Sequence, residues 1–381
     1  MKVIFVHRAR VHLVTLAMLG QISSAKEITT MAITVGVIGC GNISRFHFQG
    51  LEQAGVTLRW VCDLNPAASA PWAARCNATA TVDWKQVIAD PTVDAVVITT
   101  ISRVHKSICL AAIAAGKAVI CEKTLAENPE DAAEITLAAR QAGTLFWTSY
   151  MKRFIPAVEQ AKALLPSIGQ VLSTHIRANQ CWGDLWGAAP TEGFFHTPVG
   201  GSSQVVRNYG GGILVCGGSH ILDLICFLLG RPQRLYANVH VPTGRDYDLR
   251  ASVLLETANG PVHFQALAHP LGRTGFLGDG WDEQFEVIGT RGRLLVLSAQ
   301  WDNPENKASV LIHEDAEGVR HEHRFAAVSP FARAVAHFCA CIAKKEQGPQ
   351  AITTGYDVDE LIATIQRSSR ERAALDVVYR V

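Results

Sequence analysis

Val35-Gly36-Val37-Ile38-Gly39-Cys40-Gly41-Asn42-Ile43-Ser44 is a β-branched apolar run that breaks on two closely spaced glycines. The run reads as a buried strand, and Asn42 to Ala54 reads as the helix after it. Gly39 can turn the chain tightly. Gly41 has no Cβ, so backbone there can approach a phosphate. The N–H groups of Asn42 and Ile43 open the helix and would face that phosphate with the positive end of the dipole. A third glycine is expected at position 44, where strand and helix pack closely; this chain has Ser44, small enough to fit.

A second strand, Thr57 to Cys62, ends at Asp63, 22 residues after Gly41. A dinucleotide-binding βαβ unit needs a carboxylate at about this distance to bind ribose hydroxyls. Read without a ligand, Asp63 only starts the turn Asp63-Leu64-Asn65-Pro66. With the glycines in place, the pattern predicts a dinucleotide site. A carboxylate there would repel a 2′-phosphate, so NAD is expected over NADP.

Regular alternation follows. Short strands at 79–82, 93–99, 117–121 and 144–148 are separated by helices at 84–89, 104–115 and 128–140. Asn128-Pro129 is a helix start, and Gly116 and Gly143 are helix stops. This grammar predicts a parallel, doubly wound sheet with helices on both faces. After Tyr150 the pattern changes. A helix near Pro156–Leu165 leads into a strand, Val171 to Ala178. Cys181 to Tyr209 is long, aromatic and aperiodic, which suggests an ordered, substrate-facing loop. Gly210 to Leu229 reads as an apolar helix. Strands at 234–241, 250–257, 261–268, 283–288, 293–298 and 308–313 read as an antiparallel sheet. Helices at 331–345 and 358–373 end the chain.

The 381 residues suit two domains. Hydrophobic content of 48% against 18% charged indicates globular domains, and a net charge of +1 without a basic run makes nucleic acid an unexpected partner. The ten cysteines include no CxxC pair, which argues against a zinc site or a disulfide framework. Residues 1–30 differ from the rest. Lys2, Arg8 and Arg10 precede a short apolar run and then Ser23-Ser24-Ala25, a pattern like a signal peptide. The run is too short to span a membrane. An over-extended start is the favoured alternative, because Met31 directly precedes the first strand; a cytoplasmic location is then expected, and an exported one if the segment is a true signal.

Two clusters carry chemistry. Glu122-Lys123-Thr124-Leu125-Ala126 follows the fifth strand, and ligands in open α/β sheets bind beyond the carboxyl ends of strands. Lys123 could place an ammonium beside a nicotinamide and a substrate hydroxyl; equally, it could be a surface lysine paired with Glu122. The second is Cys216-Gly217-Gly218-Ser219-His220-Ile221-Leu222-Asp223. His220 lies in an apolar helix, either as a structural core residue or as a general base held in one tautomer by Asp223.

Together these residues resemble the Gfo/Idh/MocA oxidoreductases, the family of glucose–fructose oxidoreductase and inositol dehydrogenase. The match runs from about Ile33 to the C-terminus. Its markers are Gly39-x-Gly41, Asp63, the run from Asp94 through Thr100 to His105, Gly116-Lys117 and Glu122-Lys123-Thr124-Leu125-Ala126. Later come Arg153-Phe154-x-Pro156, Ile168-Gly169-Gln170-Val171, and Gly211-Gly212 leading to His220-x-x-Asp223. The resemblance implies an N-terminal Rossmann domain (31–150) and a C-terminal α/β domain (151–381) with an open, mostly antiparallel sheet. The C-terminal helices would pack back on the first domain, and the open sheet would form a homodimer or homotetramer interface. Lys123 would be the catalytic lysine and His220 the acid/base; either Asp223 takes the orienting role that many relatives give an aspartate at position 216, or the chemistry differs from the simplest dehydrogenases. Thr100, His105 and Glu122 would lie on the cofactor side with Lys123. The chain departs from the family pattern at Thr124, usually proline, and at Cys216, where many relatives have aspartate. The function implied is an NAD-dependent oxidoreductase acting on a secondary alcohol of a sugar, sugar acid or cyclitol, with no metal. The alternatives are an enzyme that cleaves glycosides by transient oxidation with retained NAD, and a non-catalytic NAD-binding regulator.

Overall fold

The computed structural model describes residues 33–182, 211–302 and 307–381. The N-terminal extension and all but the first two residues of the aromatic stretch Cys181–Tyr209 therefore lie outside the described residues.

The first half contains β1 (Thr34–Ile38), β2 (Thr57–Cys62), β3 (Thr79–Thr81), β4 (Ala95–Ile98), β5 (Ala118–Cys121) and β6 (Phe146–Thr148). They form one parallel sheet in the order β3-β2-β1-β4-β5-β6. Chain direction across the sheet reverses between β1 and β4, which opens a crevice at the ends of those strands. The helices are α1 (Ser44–Ala54), α2 (Pro66–Cys76), α3 (Trp84–Ala89), α4 (Ser102–Ala114) and α5 (Pro129–Ala142). Side chains alternate between two cores, as strand geometry requires. Val35, Val37, Ala95 and Val97 enter one, with Phe48. Ile38, Val96 and Ile98 enter the other, with Ile108 and Ile135. Both faces are covered, so the strands read as continuous apolar runs.

In this half the expected elements are present with shifts of a few residues at their ends, and one is added. Helix α2 occupies a stretch in which only a turn was legible. Asn65 caps it by accepting from the Ala67 N–H at 3.1 Å, and Pro66 opens its first turn. Pro71 inside the helix masks it in the sequence.

Beyond β6 come a 3₁₀ turn (Met151–Phe154), α6 (Pro156–Leu164), β7 (Val171–Cys181), and a π-helical turn (Leu214–Gly218) running into α7 (Ser219–Leu229). The expected single helix from Gly210 is thus two segments, the first wound wider. Then follow β8 (Arg234–His240), β9 (Arg250–Thr257), β10 (Gly260–His269), β11 (Trp281–Gly289), β12 (Gly292–Ser298), β13 (Val310–Glu314) and β14 (Arg320–Arg324). The chain ends with α8 (Pro330–Lys344), α9 (Thr354–Glu371) and β15 (Leu375–Asp376). The second sheet has nine strands in the order β14-β13-β12-β11-β7-β10-β9-β8-β15. All its pairs are antiparallel except the central β7–β10 pair, which is parallel.

Helices α8 and α9 tie the halves together. The rings of Phe331 and Phe338 in α8 stack on Phe46 at 5.1 Å and on Trp147 at 5.4 Å. In α9, Ser368 and Ser369 accept from the Ala237 and Val239 N–H groups of β8. One face of α9 also reaches the first half, where Asp359 accepts from the Ala126 N–H at 2.9 Å. Among the described residues, no helix is long and apolar enough to cross a membrane.

Candidate functional site

The glycine loop lies at the carboxyl end of β1. Gly39 has φ +102° and presses on the segment after β4: a Cβ there would stand 2.8 Å from the Thr99 carbonyl carbon and 2.9 Å from the Thr100 nitrogen. Gly41 is the opposite case, because a Cβ would meet nothing within 4 Å. Ser44 is fully buried, and its hydroxyl donates to the Gly41 carbonyl at 2.7 Å. The serine therefore braces the loop that a third glycine would only have accommodated. Helix α1 starts with no side-chain cap at Ile43 and no acid in its first turn. Asp63 reaches back across the crevice, its carboxylate accepting from the Cys40 N–H at 2.7 Å and the Asn65 N–H at 2.8 Å. The Thr100 hydroxyl is sealed from solvent without a hydrogen-bond partner. The open space at Gly41, the uncapped helix start and the acid beside the loop fit a dinucleotide: the pyrophosphate over Gly41 to Ile43, the ribose hydroxyls at Asp63.

His105 and Glu122, expected on the cofactor side, make hydrogen bonds inside the protein. His105 is fully buried. Its Nδ1 faces the Thr124 carbonyl at 3.0 Å and its Nε2 the Thr100 carbonyl at 3.1 Å. It thus joins the loops after β4 and β5 from behind. Burial pushes its pKa down, against the pull of those carbonyls and of Glu122. Glu122 accepts from the His47 ring at 2.7 Å and from the Lys123 N–H at 3.1 Å. Burial works to raise its pKa. The His47 hydrogen bond and the neighbouring Lys123 charge outweigh burial and hold the carboxyl below its ordinary value. Both oxygens are used inside the protein, so Glu122 locks α1 to the lysine-bearing loop.

Lys123 and His220 come together from the two halves. The Lys123 ammonium donates to the Cys216 carbonyl at 3.3 Å, in the wide turn before α7. The Lys123–Thr124 peptide is cis. His220 stands in the first turn of α7, edge-on to Tyr150 with ring centroids 5.6 Å apart. Burial, then the charges of Lys123 and Lys152, push its pKa well below the ordinary value. A histidine so placed is neutral at pH 7 and able to accept a proton. The expected link to Asp223 is absent. His220 Nδ1 is sealed without a partner, while Asp223 accepts from the Arg153 guanidinium through three contacts of 2.6–3.0 Å. A guanidinium fork satisfies two carboxylate oxygens at once, which one imidazole N–H cannot do. Asp223 therefore anchors α7 rather than orienting the histidine. Cys216 stays a thiol as well: burial pushes it up more than Lys123 and Lys152 pull it down. Its backbone carbonyl, not its sulfur, receives the lysine.

The turn at 212–218 is held by Asp248, which had no signal in the sequence. Its carboxylate accepts from the Leu214 N–H at 2.8 Å, and its carbonyl accepts from the Ile213 N–H at 3.0 Å. Burial pushes the Asp248 carboxyl up from 3.8 to about 6. An acid raised on folding contributes its stability below the unfolded pKa and loses it as pH rises through the folded one. At about 1.36 kcal/mol per pH unit, this group's contribution falls by about 3 kcal/mol from acid to neutral pH. Asp248→Asn keeps the acceptor for Leu214 and removes the titration. Urea unfolding at several pH values should show the variant gaining on the wild type as pH rises from about 4 to about 7. Parallel curves would contradict the assignment.

A parallel six-stranded sheet with a glycine loop after β1 and an acid after β2 defines a dinucleotide-binding Rossmann domain. Residues 33–150 match the description "Oxidoreductase family, NAD-binding Rossmann fold", and residues 159–295 match the C-terminal domain of the same family. The chain belongs to the Gfo/Idh/MocA oxidoreductase family, and its first half is an NAD-binding Rossmann domain. It is 28% identical to inositol 2-dehydrogenase 2 of Saccharopolyspora erythraea, over 69% of this chain and 73% of that protein. It is 25% identical to levoglucosan dehydrogenase of Pseudarthrobacter phenanthrenivorans, over the same shares. A solved levoglucosan dehydrogenase, in complex with NADH and levoglucosan, superposes with a TM-score of 0.77 at 21% identity, covering 91% of this chain and all of that one.

Proposed function

We propose that the protein is an NAD-dependent dehydrogenase acting on a secondary alcohol of a sugar, sugar acid or cyclitol. The observation that carries this reading is the meeting of Lys123 and a neutral His220 across the two halves, beside the Rossmann crevice. His220 takes the proton of the substrate hydroxyl. Lys123 stabilises the oxygen as negative charge develops on it. Bound NAD supplies the hydride acceptor. The names of the two relatives, an inositol and a levoglucosan dehydrogenase, support polyhydroxylated ring substrates. A panel of sugars, sugar acids and cyclitols with NAD, followed at the NADH absorbance, tests the reading. Consumption of a glycoside without net NADH would favour cleavage by transient oxidation instead, and binding without turnover would favour a regulator.

Preference for NAD over NADP rests on Asp63, whose carboxylate is fixed at the glycine loop. A 2′-phosphate brought there would meet like charge. Asp63→Ala should level or reverse the preference, read by titrating both cofactors into each protein; wild type that binds NADP as tightly as NAD sinks the claim. Self-association as a homodimer or homotetramer goes with the same reading. Tyr236 and Leu254, directly opposite each other on β8 and β9, are exposed on the sheet and support it.

A further inference from the structure

Beneath the turn that carries His220 lies a buried polar chain that plays no part in the reaction as described above. Lys152 and Glu283 form an ion pair with side chains 2% exposed. The ammonium also lies 5.4 Å from the centroid of the Trp281 ring. The other Glu283 oxygen accepts from Gln180 Nε2 at 2.7 Å, and Gln180 Oε1 accepts from the Trp182 indole at 2.9 Å. The Gln180 amide is thereby fixed at both ends. Gly217 rests on it: a Cβ at 217 would come within 2.5 Å of Gln180 Nε2 and 2.8 Å of Oε1. Gly217 in turn follows Cys216, whose carbonyl receives Lys123, and precedes His220 by three residues. Moving two charges out of water costs several kcal/mol, and an apolar pair would fill the same space at no such cost. Packing alone does not require charge here.

We propose that the Lys152–Glu283 pair positions the active site, fixing Gln180 under Gly217 and presenting to His220 a second ammonium besides that of Lys123. Of the nearby carboxylates, Asp223 faces Arg153 and Glu283 faces Lys152 and Gln180, and neither is among the charges acting on the imidazole. Asp359 of α9 acts on Tyr150, which meets His220 only through its ring. Cys216, on the histidine's own segment, remains a thiol. The field at His220 is therefore cationic, and after burial the two lysines are what keep the imidazole neutral. The kinetic consequence rests on the dehydrogenase reading; the effect on the imidazole does not.

The test compares wild type with Lys152→Met/Glu283→Gln, which removes both charges together and leaves an amide to accept from Gln180. His220 titration is followed by NMR of histidine-labelled protein, its signal assigned by loss in His220→Gln. In the double variant the His220 midpoint should rise toward the ordinary value of about 6.5. With a substrate from the panel, the acid limb of the pH profile should move up with the imidazole, NAD affinity being unchanged. Lys152→Arg, which keeps the cation, should retain the wild-type titration. Gln180→Met leaves the ion pair intact and cuts its link to Gly217; it should lower kcat about 10-fold while leaving NAD affinity unchanged. A folded double variant with wild-type His220 titration, or a Gln180→Met variant with wild-type turnover, overturns the proposal. If no panel member is turned over, the dehydrogenase reading fails, and the titration still decides whether Lys152 acts on His220.

Discussion

His220→Ala lowers kcat by roughly 10²-fold or more, and Lys123→Ala does the same, as positioned proton-transfer and charge-stabilising groups do. The two come from separate halves and meet where Lys123 reaches the Cys216 carbonyl. Neither side chain contributes to the glycine loop or to the Asp63 contact, so melting temperature and NAD affinity should change little. Below the His220 pKa the wild type should also lose activity, because a protonated imidazole cannot accept the substrate proton. That limb should lie well on the acid side of an ordinary histidine, given the burial and the two ammonium groups. Near-normal turnover by His220→Ala would make the histidine a core residue and require another base.

The second large effect is on stability. Arg153→Met leaves Asp223 in the core of α7, fully buried and without its guanidinium. Breaking one side of a buried ion pair costs about 3–5 kcal/mol, because the remaining charge keeps its desolvation penalty. Arg153→Met/Asp223→Leu removes both charges and should recover most of that loss. Urea unfolding of the three proteins measures it. A single variant within about 1 kcal/mol of wild type would show that the pair is worth no more than a surface contact. Asp223→Asn should likewise act mainly on stability, since the aspartate holds Arg153 rather than His220.

The two sheets differ in how far they could be read. The Rossmann half was legible almost strand by strand because its signals are local: β-branched runs, helix stops at Gly116 and Gly143, and an acid at a fixed distance from two glycines. Helix α2 escaped because its cap, Asn65-Pro66, is also a turn signature, and because Pro71 interrupts its pattern. Strand β14, Arg320-His321-Glu322-His323-Arg324, is polar on both faces, so an edge strand left no alternation to detect. At the site, residue types were legible and partners were not. Asp223 is one helical turn from His220, yet Arg153, 70 residues away in sequence, takes it. Lys152, Gln180 and Glu283 span 131 residues and three different elements, and only folding brings them under Gly217. The basic pair Lys152-Arg153, in the 3₁₀ turn after β6, was the one trace of both ion pairs in the sequence.

The central claim is a net hydride transfer from a carbinol carbon, with the hydroxyl proton going to His220. It is tested most directly by a single turnover with a substrate deuterated at its carbinol carbon, excess enzyme and NAD, followed by mass spectrometry of both products. The predicted result is one deuterium on the reduced nicotinamide for each ketone formed, and no ketone from His220→Ala on the same timescale. Deuterium returned to a product carbon, with the glycosidic bond broken and no reduced cofactor left, would contradict the account.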